Sequence, residues 1–285
     1  MRSLCRYLLP VLFLPLPSMA YDAEKHKQPS LDAFKLYQTC QQLMPDKLKT
    51  EFGDEEANYT AEANKDLDNI TFSRLWNWHF YDARFDYEKM QPGSILPNLI
   101  GMNRSLHPYF VKQANKLLEQ KETASHQSLE LIGHLMHLIQ DMAVPAHVAP
   151  IYHLSTQKDA FDGYSPKDAV VLTISESECS ALLQHIQTPV EILEQTAQNT
   201  LAAIDSDINE SLSWRDYWMV YPHYKGDVKQ GFSSYGKCGN EGFGNTNHPI
   251  CNGTQTDFDH FYNERYKQAV MGSLKLLMYS NSLTN

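Results

Sequence analysis

Apolar residues recur at helical spacing over much of this chain, and strand-type alternation is scarce. The helical stretches run from Leu31 to Met44, Phe72 to Trp78, Tyr109 to Glu122, Ser128 to Met142, Pro189 to Asn209 and Phe258 to Ser282. One β-branched run, Val170 to Ile174, reads equally well as a strand or as an extended connector. With 285 residues, no internal repeat and no low-complexity linker, the pattern predicts an all-α fold in a single multi-helix domain. From Asp216 to Thr256 the helical period stops, and Gly, Asn, Lys and aromatic residues crowd together. That composition, with two cysteines, predicts a long ordered loop.

Residues 1–20 combine a basic start (Arg2, Arg6), an apolar stretch from Tyr7 to Leu16 and the small-x-small triplet Ser18-Met19-Ala20. These features predict a signal peptide cleaved after Ala20 and a secreted or periplasmic domain over residues 21–285. The apolar stretch is interrupted by Pro10 and Pro15 and is too short to span a bilayer. Cleavage would remove two Arg and no acid, leaving 22 Lys and Arg against 34 Asp and Glu, a formal charge of −12. Such an acidic balance disfavours long-range attraction to polyanions, although a locally basic groove stays open. Cys5 would leave with the signal, and the even set Cys40, Cys179, Cys238 and Cys251 in an exported chain predicts two disulfides. Cys238 with Cys251 is the natural local pair and leaves Cys40 with Cys179, although four cysteines allow three connectivities.

The segment GHLMHLIQDMAVPAH, Gly133 to His147, carries the strongest chemical signal. At about 100° per residue, Glu130, His134, His137 and Asp141 fall on one narrow stripe of a helix that is otherwise apolar. Buried imidazole and carboxylate groups need partners, and a divalent metal supplies one. Val144-Pro145 ends the helix, because proline lacks an amide donor and drives its predecessor to extended geometry. His147 thus begins a new segment, and one helix with its exit supplies ligands for two metals.

The spacing His137-xxx-Asp141-xxxxx-His147, with Pro145 just before the last histidine, resembles the zinc-dependent phospholipase C and single-strand nuclease superfamily. The wording HLIQDMAVPAHV resembles its bacterial phospholipase C branch. The resemblance implies up to three zinc ions in the cleft of a helical domain, two of them bridged by Asp141. It implies a ligand at the mature N-terminus, where backbone amino and carbonyl groups chelate zinc. Tyr21 stands there in place of the family's Trp, and His26 follows at the family's spacing. RLWNWHFYD, Arg74 to Asp82, resembles the segment that carries the next zinc histidine, His79. An upstream acid completes that pair, and both Asp68 and Asp66 qualify, with ANKDLDN favouring Asp68. The last family element is a His and an acid one helical turn apart. Phe161-Asp162 supplies the acid, but Lys158 stands where the His belongs. The nearest replacement is His153, so the implied last set is His147, His153 and Asp162, with Asp159 competing for the acid position.

The resemblance implies a metallohydrolase in which zinc acidifies a water and polarises phosphoryl oxygens, with Asp68 or Asp66 as the catalytic group that orients the water or accepts its proton. The implied activity is phospholipase C action on a phosphatidylcholine-like phospholipid substrate, with peripheral contact to the membrane and nucleic acid the less favoured partner. Trp214, Tyr217, Trp218, Tyr221, Tyr224 and Tyr235 are dense enough to hold a choline cation or a lipid interface, or else to pack a core. A second reading is a single-strand nuclease, with bases stacked on aromatic rings and Lys225, Lys229 and Lys237 against phosphates. A third is a catalytically silent exported zinc-binding protein, suggested by Lys158.

Overall fold

The helix that carries the polar stripe is wrapped by other helices, and that enclosure is what buries the stripe. The architecture comes from a computed structural model, which describes residues 23–67, 80–81, 106–120, 122–149, 151, 159–168, 170–220 and 233–283. Among the described residues there are nine α-helices: α1 (Ala23–Leu43), α2 (Asp54–Leu67), α3 (His107–Leu118), α4 (His126–Asp141), α5 (Pro145–Val148), α6 (Ala160–Gly163), α7 (Glu176–Gln184), α8 (Pro189–Ile204) and α9 (Gln255–Ser282). The fold is mostly helical, as the periodicity predicts. Helix α4 packs against α1, α2, α3, α8 and α9. Its Leu135, Leu138 and Ile139 are fully buried, each removal of such a side chain from water being worth roughly 1.5–3 kcal/mol. Ser125 caps its start by accepting from the Ser128 amide. Its end lies where proline requires it: Val144 is extended at φ −91°, ψ 121°, and Pro145 opens α5.

Two helices lack the periodic signal on which sequence reading depends. Helix α2 buries Ala57, Thr60, Ala61, Asn64 and Leu67, a helical face built mostly of small or polar residues. That face lets α2 approach α4 closely at Gly133, where a Cβ would stand 2.6 Å from the Thr60 carbonyl oxygen and 3.0 Å from the Asn64 amide nitrogen. Helix α7 buries just Cys179 and is set by a capping box between Ser175 and Glu178. Helix α1 starts at Ala23 rather than Leu31, because Pro29 is absorbed within it. Helix α8 stops at Ile204, short of Asn209, and β1 (Asp207–Asn209) pairs antiparallel with β2 (Leu212–Ser213). The expected stretch from Phe72 to Trp78 lies outside the described residues. Residues 170–175 are an extended connector: Leu172 and Ile174 pack on the core while Val171 faces solvent.

The expected loop is ordered where it is described and carries a short ladder. Strand β3 (Trp218–Met219) pairs antiparallel with β4 (Ser234–Tyr235), and a 3-10 turn spans Asn240–Gly242. The disulfides are Cys40–Cys179, which joins α1 to α7, and Cys238–Cys251 within the loop. Two disulfides fit an oxidising compartment, and among the described residues no helix is long and apolar enough to cross a membrane. Beneath the loop, Phe161, Trp214, Trp218, Phe243, Phe258 and Phe261 pack ring against ring, with centroids as close as 4.1 Å for Trp214 and Phe261.

Candidate metal centre

Four of the sequence-predicted ligands meet in the interior: His26 from α1, His137 and Asp141 from α4, and His147 from α5. All four are 0 % exposed, so their polar atoms interact with the protein or with something it encloses. Asp141 is the hub. Its Oδ1 lies 3.5 Å from His26 Nε2 and 3.2 Å from His147 Nδ1, and its Oδ2 lies 3.5 Å from His137 Nε2. The His26 and His137 rings stack with centroids 4.1 Å apart, so both present the same edge to Asp141.

The far edges of these rings are held by oxygen acceptors. His137 Nδ1 donates to the Asn64 carbonyl oxygen at 3.0 Å, with Asn64 Oδ1 at 3.2 Å. His26 Nδ1 lies 2.9 Å from Gln140 Oε1. With Nδ1 so engaged, Nε2 of each ring is the nitrogen aimed at Asp141. One donor atom each from His26, His137 and Asp141 lies within 4.8 Å of the others. Nitrogen and carboxylate donors bind zinc at roughly 2.0–2.1 Å, which puts neighbouring tetrahedral donors roughly 3.4 Å apart. The observed spacings match, and these residues fit a divalent metal held by two imidazoles and a carboxylate.

Asp162 extends the centre from α6. It is buried, and among the described residues its Oδ1 accepts no hydrogen bond. Burial, and then the neighbouring Asp159 carboxylate, holds its acid well above the usual carboxylate range. Asp159, its competitor, is already engaged: Oδ1 accepts from the Phe161 amide, and Oδ2 from Tyr235 Oη at 2.7 Å and Trp218 Nε1 at 3.4 Å. Burial pulls the His147 imidazole down, yet Asp141, with help from Asp162 and Asp159, outweighs it and pushes the group up to about 9.

Asp66 is exposed in the last turn of α2, where its charge acts on the half-buried His134. Tyr21, Asp68, His79 and His153 lie outside the described residues. The chain following His79 passes against the centre: the Tyr81 amide donates to the His147 carbonyl at 3.1 Å, and the Phe80 ring meets His147 edge-on at 5.7 Å. Trp214, Tyr217 and Trp218 are core residues, Tyr221 and Tyr224 lie outside the described residues, and Tyr235 is half-buried on Asp159. Of the three lysines, Lys237 pairs with Asp216, and Lys225 and Lys229 lie outside the described residues.

Sequence reasoning missed Gln140 and Asn64. Gln140 gave a faint signal, as an uncharged polar residue between Ile139 and Asp141 in a buried run. Asn64 gave none, because α2 looks polar all round. No protein-family model, curated protein or solved structure matches this chain.

Proposed function

We propose that this chain is an exported zinc-dependent phosphodiester hydrolase acting as a phospholipase C on glycerophospholipids. The observation that carries the reading is the Asp141 hub: a buried carboxylate between three imidazoles, at the sequence spacing that resembles the zinc phospholipase C and nuclease superfamily. His26, His137 and Asp141 would hold one ion, and His147 with Asp162 a second. Tyr21, His79, Asp68 and His153 are the candidates for completing these positions and a third.

When bound, zinc supplies Lewis acidity toward a phosphoryl oxygen and lowers the pKa of a water to near neutrality. The chain's own residues do the rest. Asp141, shared among three imidazoles, fixes the spacing of the donors. Asn64 and Gln140 hold the two stacked rings in register, as residues behind metal ligands commonly do. Burial of the hub excludes bulk water and strengthens every charge interaction within it. Proton acceptance falls to Asp68 or Asp66. The acidic balance suits a cationic head group better than a polyanion, and the pairing of Lys237 with Asp216 takes one lysine from the nuclease reading.

The test is a chain beginning at Tyr21, assayed for zinc content and for cleavage of phosphatidylcholine and single-stranded DNA, before and after chelation. Chelator-sensitive release of phosphocholine is the expected result. DNA cleavage alone would move the protein to the nuclease branch, zinc without turnover would make it a silent zinc-binding protein, and absence of zinc would refute the reading.

A further inference from the structure

We infer that Gln140 is a positioning residue whose side-chain amide fixes a proton on Nδ1 of His26 and thereby dedicates Nε2 of that ring to a metal. The inference rests on the metal-site reading above and adds to it the tautomer that Gln140 imposes on the His26 ring.

Two backbone carbonyls, which can only accept, set the direction of every hydrogen bond in the network around Gln140. Ser30 Oγ donates to the His26 carbonyl at 3.1 Å, and Ser273 Oγ donates to the Ala269 carbonyl at 2.9 Å. Each hydroxyl proton is thereby used, and both oxygens act as acceptors toward other groups. Gln140 Nε2, 3.0 Å from Ser30 Oγ and 3.1 Å from Ser273 Oγ, is therefore the amide NH2 donating to both. Gln140 Oε1 points the other way, accepting from Asn64 Nδ2 at 3.2 Å, with His26 Nδ1 at 2.9 Å. An amide oxygen has no proton to give, so the hydrogen sits on His26 Nδ1.

All four hydrogen-bonding positions of the Gln140 amide are filled, by groups from α1, α2 and α9. At 3 % exposure, water cannot replace any of them. The same network reaches the second ring. Ser30 Oγ also accepts from Asn64 Nδ2 at 2.8 Å, steadying the residue whose carbonyl takes the His137 Nδ1 proton. A hydrocarbon at position 140 would remove the acceptor for His26, whereas a carboxylate would keep one.

The test is a one-bond proton–nitrogen NMR correlation on the full mature chain labelled with 15N-histidine, metal-free and zinc-loaded, beside zinc affinity measured by chelator competition. Wild type is expected to show a slowly exchanging proton on His26 Nδ1 in both states. Gln140→Leu should lose that signal and bind zinc roughly 10–100-fold more weakly, the usual effect of removing a group behind a metal ligand. Gln140→Glu should keep the signal and much of the affinity, a rescue that a purely space-filling role would not give. A wild-type His26 protonated on Nε2 alone overturns the role of Gln140, even with zinc binding intact and even if Gln140→Leu fails to fold. A Gln140→Leu chain that keeps both the signal and wild-type affinity overturns it as well. A wild-type chain that binds no zinc contradicts instead the metal-site reading on which the inference rests.

Discussion

Two buried regions sit side by side in this molecule and are held together by different physics. Around Asp141, polar side chains from α1, α2, α4 and α9 are fixed by directed hydrogen bonds, with donors matched to acceptors. Under the Cys238–Cys251 loop, aromatic rings meet at angles that range from stacked to edge-on.

 

The interplanar angle is 14° between Trp218 and Phe261 and 86° between Tyr217 and Phe258, so no one arrangement is demanded. The first region specifies which atom meets which, as a metal site needs. The second supplies bulk and is tied to the centre by Asp159, which caps α6 and accepts from Trp218 and Tyr235. Aromatic packing thus sets where Asp162 stands, and hydrogen bonds set how the histidines point.

The contrast predicts that equal insults have unequal consequences. Asp141→Asn is expected to have the largest effect: chelator-sensitive turnover disappears and zinc content falls, as read by metal analysis and assay. Retained zinc and activity in that variant would erase the distinction between the two regions.

The next effect is one of pH. His147 has its folded pKa raised from 6.5 to about 9. In metal-free protein its pairing with Asp141 stabilises the fold fully below pH 6.5 and ceases to do so as pH rises through about 9. The loss is on the order of 3 kcal/mol, at about 1.4 kcal/mol per pKa unit. Zinc competes with the same proton, so its affinity should rise over that range while metal-free stability falls. Denaturation and zinc titrations between pH 6 and 10 that move in parallel would contradict this.

Gly133→Val should cost roughly 1–3 kcal/mol, the usual range for overpacking. Its Cβ would meet backbone of α2 at the Thr60 carbonyl and the Asn64 amide, so zinc affinity should fall together with the melting temperature. In the aromatic region, Phe243→Leu should cost about 1–2 kcal/mol and leave zinc affinity unchanged. An equal loss of zinc affinity in both variants would show that the regions are not separable.

The two regions also differed in how far the sequence disclosed them. His137, Asp141 and His147 were legible because helical spacing and a proline determine where such residues point. His26 entered through the family resemblance, and the structure brings it to the same carboxylate. Gln140 and Asn64 were not legible: an uncharged amide bears no mark of metal chemistry until its partners from distant helices are known. Helix α2 escaped for a related reason, since its buried face is Ala, Thr and Asn, and its fit to α4 depends on the absent side chain of Gly133. The aromatic region was visible as composition, but which rings are core and which are exposed depends on how β3, β4 and α9 converge. The local disulfide followed from proximity in sequence, and the long-range one followed as its remainder.

The most direct measurement is anomalous X-ray scattering at the zinc edge from crystals of the zinc-loaded chain beginning at Tyr21. A peak bounded by His26 Nε2, His137 Nε2 and the Asp141 carboxylate is the predicted result. Zinc bound elsewhere, with these three side chains contacting only one another, would contradict the account.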